Sequence, residues 1–288
     1  MCRPPYPYVR VMATMVLAPL SFAFGLSMCV ACLMRLVGGP EYGRVLATGG
    51  IPVGFLAGVA WISGLPSADV GSFSGYVLYT VLGGACLGIV LDMLKVQRLL
   101  RTVSIVGFVG LCVWMHMGFP THLPRGIVTR VEFLVAMTLL FVSWLVILLV
   151  LDRHQARAET AQGFIALLAM AVAIGAIAAI YRAEAVVGPA FVLVFSVAAV
   201  ALLVYPLGAQ LSSIVVLGGG GAMFGLIQGM GARWPGSLFP LALASLCLFA
   251  APTARRIPGP ARLRVVWTCV LAIIPLGMSL LISLSLHM

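Results

Sequence analysis

The chain has 288 residues, of which 62% are hydrophobic and only 8% are charged, and its mean hydropathy is +1.17. This composition excludes a water-soluble domain, because too few polar residues are present to form a polar surface. The formal net charge of +10 does not indicate a nucleic-acid partner, since the basic residues are dispersed and form no stripe with interleaved aromatic residues. Composition therefore predicts an integral membrane protein whose main surroundings are the lipid bilayer.

Ten apolar segments, each long enough to cross a bilayer, follow one another along the chain. A helix of about 20 residues, rising 1.5 Å per residue, matches the roughly 30 Å hydrocarbon core. Spanning segments must be helices or closed barrels, and long runs such as 133–151 lack the two-residue alternation of barrel strands. We therefore predict an all-α fold with about ten transmembrane helices, at 11–36, 45–64, 74–94, 102–119, 129–151, 161–181, 184–205, 210–230, 236–252 and 265–287.

The longest polar segment, 152–162, divides the chain nearly in half, as the central loop does in many carriers. The predicted organisation is an N-terminal tail (1–10), a first bundle of five helices (11–151), a short cytosolic connecting loop (152–160) and a second bundle of five helices (161–288). Val-Leu-Gly-Gly in the third segment, at 81–84, recurs in the eighth at 216–219. A four-residue match arises readily by chance, so an internal repeat that relates the two halves stays only one alternative.

Basic residues near the segment ends predict the orientation, since arginine-rich loops tend to stay cytosolic. Counting along ten segments gives one side eleven basic residues: Arg35, Arg44, Lys95, Arg98, Arg101, Arg153, Arg157, Arg255, Arg256, Arg262 and Arg264. The other side receives six. Placing the richer side in the cytosol and counting ten crossings predicts that both termini lie on the opposite side of the membrane, outside the cytosol. Arg3 and Arg10 before the first apolar run favour the opposite placement of the N-terminus, as in a signal anchor. The N-terminal side is left open.

Glycines recur at every fourth residue in three of the predicted helices. This spacing removes side chains from one helix face, so that a neighbouring backbone approaches closely. The predicted helix-packing residues are Gly50, Gly54, Gly58, Gly84, Gly88, Gly221, Gly225 and Gly229. A flexible or substrate-lining helix is the alternative interpretation, but close packing is favoured.

The acidic residues give the candidates for solute transport. A coupled carrier usually buries a carboxylate near the middle of the bilayer, whereas every acid here lies in a loop or near a helix end. Asp92 precedes Lys95 by three residues and Glu132 follows Arg130, so both acids are predicted to form weak interfacial charge pairs. If a solute is transported, Asp92 and Glu132 are the residues that we expect to take part.

The chain offers no pattern for catalysis, a cofactor or a metal ion. Its four histidines, including His116, have no ligand spacing. Cys29 and Cys32 form a C-x-x-C pair inside the first predicted helix, where packing is the favoured explanation. No phosphate-binding loop, paired carboxylates or Ser-His-Asp arrangement occurs, so we predict that the protein is not an enzyme.

Three stretches carry a family resemblance. They are Pro-Gly-Pro-Ala-Arg-Leu-Arg-Val-Val-Trp-Thr-Cys at 258–269, the lead into the second helix at 44–61, and Leu-Ser-Ser-Ile at 211–214. With the number and length of the helices, they resemble the herpesvirus family of multi-spanning membrane proteins named for unique-long gene forty-three. Its gammaherpesvirus branch is a polytopic envelope protein.

The resemblance implies a protein of the virion envelope and of host secretory and plasma membranes. It also implies association with a viral envelope glycoprotein and a role in attachment, cell-to-cell spread or membrane fusion. The helical arrangement of the family resembles equilibrative nucleoside carriers, which have a two-bundle fold of the major-facilitator type with about eleven helices. This chain departs from the family in its short central loop, in its ten predicted helices, and in having Arg-Gly-Ile rather than Arg-Gly-Asp at 125–127.

Two functions are therefore expected. The first is a viral multi-pass interaction protein that associates laterally through its glycine-rich helix faces. The second is a small-solute, nucleoside-like transporter or its non-transporting descendant. A polar cavity between the two halves would favour transport, whereas a filled apolar seam would favour the interaction protein.

Overall fold

The computed structural model describes residues 7–65, 72–116, 127–156, 160–203, 210–258 and 260–287, and among these residues no strand occurs. The helices are α1 (Pro7–Val37), α2 (Gly39–Leu46), α3 (Gly50–Ser63), α4 (Phe73–Met93), α5 (Arg98–His116), α6 (Ile127–Ala156), α7 (Thr160–Ile180), α8 (Glu184–Leu202), α9 (Gly220–Arg233), α10 (Leu238–Ala244), α11 (Ala250–Ala254) and α12 (Ala261–His287). The predicted all-α membrane fold is confirmed.

Seven described helical stretches are long and apolar enough to cross a membrane. They are Leu17–Val37, Gly39–Ser63, Phe73–Met93, Arg98–Met115, Ala161–Ile180, Glu184–Leu202 and Leu263–Leu286. Two shorter apolar helices, Val215–Gly231 and Leu238–Ala254, coincide with the eighth and ninth predicted segments. The fifth segment coincides with α6, many of whose side chains lie outside the described part of the chain. A total of ten membrane crossings therefore stays a prediction.

Two of the predicted segments are built from short helices joined by tighter turns. A 3-10 turn, Ala47–Gly49, connects α2 to α3, and another, Ser245–Phe249, connects α10 to α11. Pro52 and Pro240 lie in the first turns of α3 and α10, where a missing backbone N–H does not break a helix. The eighth segment begins with a wider π turn, Val215–Gly219, which continues directly into α9.

The packing mixes helices from the two predicted halves. Helix α8 packs against α1, α3 and α7, while α4 packs against the π turn and α9. Helix α12 lies against α7, α10 and α11. Buried side chains from most of these regions form one hydrophobic core, which includes Phe55, Leu148, Ile174, Leu193 and Phe224. A small second cluster lies between the ninth segment and α12, and consists of Cys247, Ala250 and Ala272. The division into bundles at 11–151 and 161–288 stays a prediction.

We call the contact between α4 and the segment Val215–Arg233 the central seam. Aromatic rings fill one end of it: the Phe224 ring centroid lies 4.9 Å from that of Trp144 and 6.0 Å from that of Tyr76. The Tyr76 hydroxyl donates a hydrogen bond to the Cys112 carbonyl oxygen at 3.0 Å, which joins α4 to α5. This end of the seam is therefore packed rather than open.

Candidate functional site

The polar centre of the described structure starts at the N-terminal end of the eighth segment. The first backbone N–H groups of a helix have no partner within the helix and need an acceptor from elsewhere. Here the Asp92 carboxylate, from the last turn of α4, accepts hydrogen bonds from the Ser213 backbone N–H at 2.8 Å and the Ser213 hydroxyl at 2.6 Å. The positive end of the helix dipole also favours a carboxylate at this position.

Arg101, in the first turns of α5, lies between two carboxylates. Its Nε atom is 2.7 Å from Oδ1 of Asp152 on α6, and its Nη2 atom is 3.6 Å from Oδ1 of Asp92. The same Nη2 atom donates to the side chains of Gln155 and Ser213. The side chains of Asp92 and Asp152 are only 7% and 10% exposed. We call these five residues, Asp92, Arg101, Asp152, Gln155 and Ser213, the Arg101 cluster.

A second polar contact extends the cluster to the turn between α2 and α3. The buried hydroxyls of Thr48 and Ser212 share a hydrogen bond, and the Thr48 hydroxyl also contacts the Val45 carbonyl oxygen at 2.7 Å. Beside it, the Gln210 backbone N–H donates to the Arg44 carbonyl oxygen at 3.0 Å. The ends of α2, α4, α5, α6 and the eighth segment thus meet at one end of the molecule, where the arginine count predicted a common side.

The Arg101 cluster acts as an ionic clamp, because ion pairs and hydrogen bonds between its side chains join the ends of several helices. Taking two carboxylates and a guanidinium out of water is costly unless their hydrogen-bonding groups are satisfied by one another. Here Arg101 contacts both acids, and Asp92 has three further hydrogen bonds, from Ser213 and from Gln155 at 3.4 Å. The arrangement holds four helix ends together.

The prediction that Asp92 forms a charge pair with Lys95 is wrong. Helix α4 ends at Met93, and Lys95 has a positive φ of 47°, so the two residues do not share a helix face. Lys95 instead lies 3.7 Å from Glu41 on α2, with both side chains about 70% exposed. The partner of Asp92 is Arg101, which the sequence had indicated only as a topology signal.

Replacing Lys95 with glycine is expected to change the free energy of unfolding by less than about 1 kcal/mol, because an exposed ion pair is weak and glycine tolerates a positive φ. Reversible unfolding of the purified protein in mixed detergent micelles measures this change. A loss as large as that caused by replacing Arg101 would show that Lys95 contributes as much to stability as Arg101 does and would contradict its role in a weak, exposed ion pair.

The other predicted site residues are not brought into the cluster. Glu132 lies on α6, about five helical turns before Asp152, and its side chain is outside the described residues, as is that of His116. Cys29 and Cys32 are free thiols on α1. Within the predicted tail and connecting loop, residues 1–6 and 157–159 lie outside the described part, and the helix α6 continues past the predicted boundary to Ala156.

The eight predicted packing glycines all lie against another segment. A Cβ atom added to any of them would come within 3.0 Å of a neighbouring atom. Gly50 and Gly54 lie against α1, and Gly58 lies against Val192 of α8. Four of the others line the central seam, and Gly88 lies just beyond its end against Ser213 and Ile214. Gly84 lies against the Leu217 carbonyl oxygen and Gly221 against that of Thr80. These faces are covered by other segments of the same chain. Lateral association through them stays a prediction.

Sequence reasoning missed Asp152, Gln155 and Ser213. One signal was present: Asp152 and Gln155 are three residues apart, which places them on one face if the fifth segment continues as a helix beyond residue 151. The pairing of Ser213 with Asp92 had no signal, because it joins residues 121 positions apart in the chain.

No protein-family model matches the chain, and no curated protein matches its sequence.

Proposed function

We propose that the protein is a multi-pass membrane protein that acts through lateral contacts with other membrane proteins and does not move a solute. The observation that carries this proposal is the filled central seam. Gly88 and Gly225, like Gly84 and Gly221, bring the backbones of α4 and the eighth segment into contact, and an added Cβ on Gly225 would lie 2.8 Å from Val77. A carrier of the two-bundle type needs a polar cavity where its halves meet.

Two cavities among the described residues also support an interaction protein. One, of about 370 Å³, lies between α4 and α5, and another, of about 310 Å³, lies between the ninth segment and α12. Their linings are mainly hydrocarbon, and neither lies in the central seam. A nucleoside would find few hydrogen-bonding groups in them.

The cellular setting is part of the proposal and is supported by the sequence resemblance. Residues 258–269 and 211–214 favour a protein of the virion envelope and host membranes that assists attachment, spread or fusion, with a viral envelope glycoprotein as partner. Its lateral contacts would use lipid-facing surfaces other than the buried glycine faces. The exposed apolar side chains of α12, among them Val270, Ile273 and Leu281, offer one such surface.

The alternative, a small-solute carrier, is favoured by one observation. The Arg101 cluster joins the ends of α4, α5 and α6 in the first half to Ser213 in the second half. An ionic network across two halves is a suitable gate for a carrier that is closed on this side. In that case Asp92 would release Ser213 when the gate opens.

Uptake into proteoliposomes distinguishes the two functions. We expect vesicles containing the purified protein to take up no more radiolabelled uridine than empty vesicles do, with or without a proton gradient, because the described residues of the central seam are closely packed. An established nucleoside carrier reconstituted in parallel confirms that the vesicles are intact. Saturable uptake that Asp92→Asn abolishes would contradict the proposal and establish the carrier.

A further inference from the structure

The cavity between α4 and α5 is a groove that faces away from the central seam. Thr80, Gly83 and Leu87 line it from α4, and Ser104, Gly107 and Leu111 line it from α5. An added Cβ on Gly83 or Gly107 would meet no atom within 4 Å, in contrast to the glycines that pack inside the molecule. The neighbouring Leu82 and Val103 are 43% and 57% exposed, so the groove opens toward the lipid.

The groove is suited to a hydrocarbon guest rather than a polar one. Two of the three hydroxyl-bearing residues that line it bond to the backbone: Thr80 donates to the Val77 carbonyl oxygen and Ser104 to that of Leu100, at 3.0 and 2.9 Å, while Tyr79 is the third. The α5 wall runs from Ser104 to Met115, which is about 16 Å of helix, close to half of the roughly 30 Å hydrocarbon core. This length matches one acyl chain of one leaflet.

Basic residues stand at the end of the groove where α4 and α5 are joined. Lys95 lies in the connection and Arg98 begins α5, about 9 Å along the helix from Ser104. Lys95 lies 3.7 Å from Glu41 and over the Tyr42 ring, and its side chain is still 69% exposed. Arg98 is exposed and is close enough to Asp152 to attract its carboxylate. Arg101, one turn further on, is held by Asp92 and Asp152. Basic pockets between transmembrane helices bind anionic lipid headgroups.

We propose that the α4–α5 groove is a binding site for an anionic phospholipid of the leaflet on the arginine-rich side. One acyl chain lies in the groove between Gly83 and Gly107, and the phosphate contacts Arg98 and Lys95. The lipid covers the open face of α5 and thereby stabilises the helix that carries Arg101.

Native mass spectrometry of the full chain in mild detergent, titrated with phosphatidylglycerol or phosphatidylcholine of the same acyl chains, tests this site. We expect one phosphatidylglycerol to bind about tenfold more tightly than phosphatidylcholine, because two cations face the headgroup. In Lys95→Gln/Arg98→Gln we expect this preference to disappear. The matched control, Arg256→Gln/Arg264→Gln, removes two exposed charges elsewhere and is expected to keep it.

A second pair of variants tests the groove itself. Gly107→Leu places a side chain where the acyl chain lies and is expected to abolish the tight binding of phosphatidylglycerol. Gly277→Leu, at an equally open glycine on α12, is expected to leave it unchanged. If Gly107→Leu does not fold, Gly83→Leu on the opposite wall replaces it. Equal affinity of the wild-type protein for both lipids, or unchanged binding after the groove is filled, would overturn the proposal.

Discussion

Replacing Arg101 with leucine is expected to lower the free energy of unfolding by about 3–5 kcal/mol. The substitution leaves Asp92 and Asp152 buried without the guanidinium that lies between them, and removing one partner of a buried ionic group is far more costly than removing an exposed pair. Reversible unfolding in mixed detergent micelles, followed by tryptophan fluorescence, measures the loss.

A matched control and a rescue make this test specific. Arg264→Leu removes an exposed arginine from α12, away from the cluster, and is expected to change stability by less than about 1 kcal/mol. Adding Asp92→Asn and Asp152→Asn to Arg101→Leu removes the uncompensated charges and is expected to restore part of the loss. Equal effects of the two arginine variants, or no rescue, would show that Arg101 does not act as the clamp.

Replacing Gly84 with alanine is expected to destabilise the protein by about 1–3 kcal/mol, because the added methyl group has no space. The new Cβ would meet the Leu217 backbone carbonyl and would lie 2.9 Å from the Phe108 ring. A backbone atom cannot rotate away as a side chain can, so α4 and the eighth segment would have to move apart. The unfolding measurement used for Arg101 reports this loss.

The neighbouring residue provides the control. Gly83 is also glycine and lies in the same helix, but an added Cβ there meets nothing within 4 Å. Gly83→Ala is therefore expected to be neutral or to stabilise the protein by up to about 1 kcal/mol, because alanine favours the helix. Equal effects of the two substitutions would contradict the close packing of the central seam.

Much of the fold was predictable because lipid allows few alternatives. Apolar runs of bilayer length must be helical, and each of the ten predicted segments coincides with helix in the described chain. The glycine spacing indicated close approach at Gly84 and Gly221, although it did not identify Leu217 and Thr80 as the neighbours. Hydropathy reports how deep a residue lies in the bilayer, but not which residue lies beside it.

The polar site was predictable only in part for the same reason. Asp92 was a candidate, yet its assigned partner was the residue three positions on, because helical spacing was the available guide. The end of α4 at Met93 and the positive φ of Lys95 removed that partner, and both are local backbone features that hydropathy does not report. Likewise, nothing in Val-Val-Leu-Gly-Gly at 215–219 distinguishes a π turn from an ordinary helix.

The bond between Asp92 and Ser213 has a consequence for biosynthesis. The ribosome makes α4 well before the eighth segment, since the two residues are 121 positions apart. Asp92 therefore enters the bilayer before its amide and hydroxyl donors have been made. The early helices of the chain therefore lack these two hydrogen bonds until the later part of the nascent polypeptide arrives and completes the cluster.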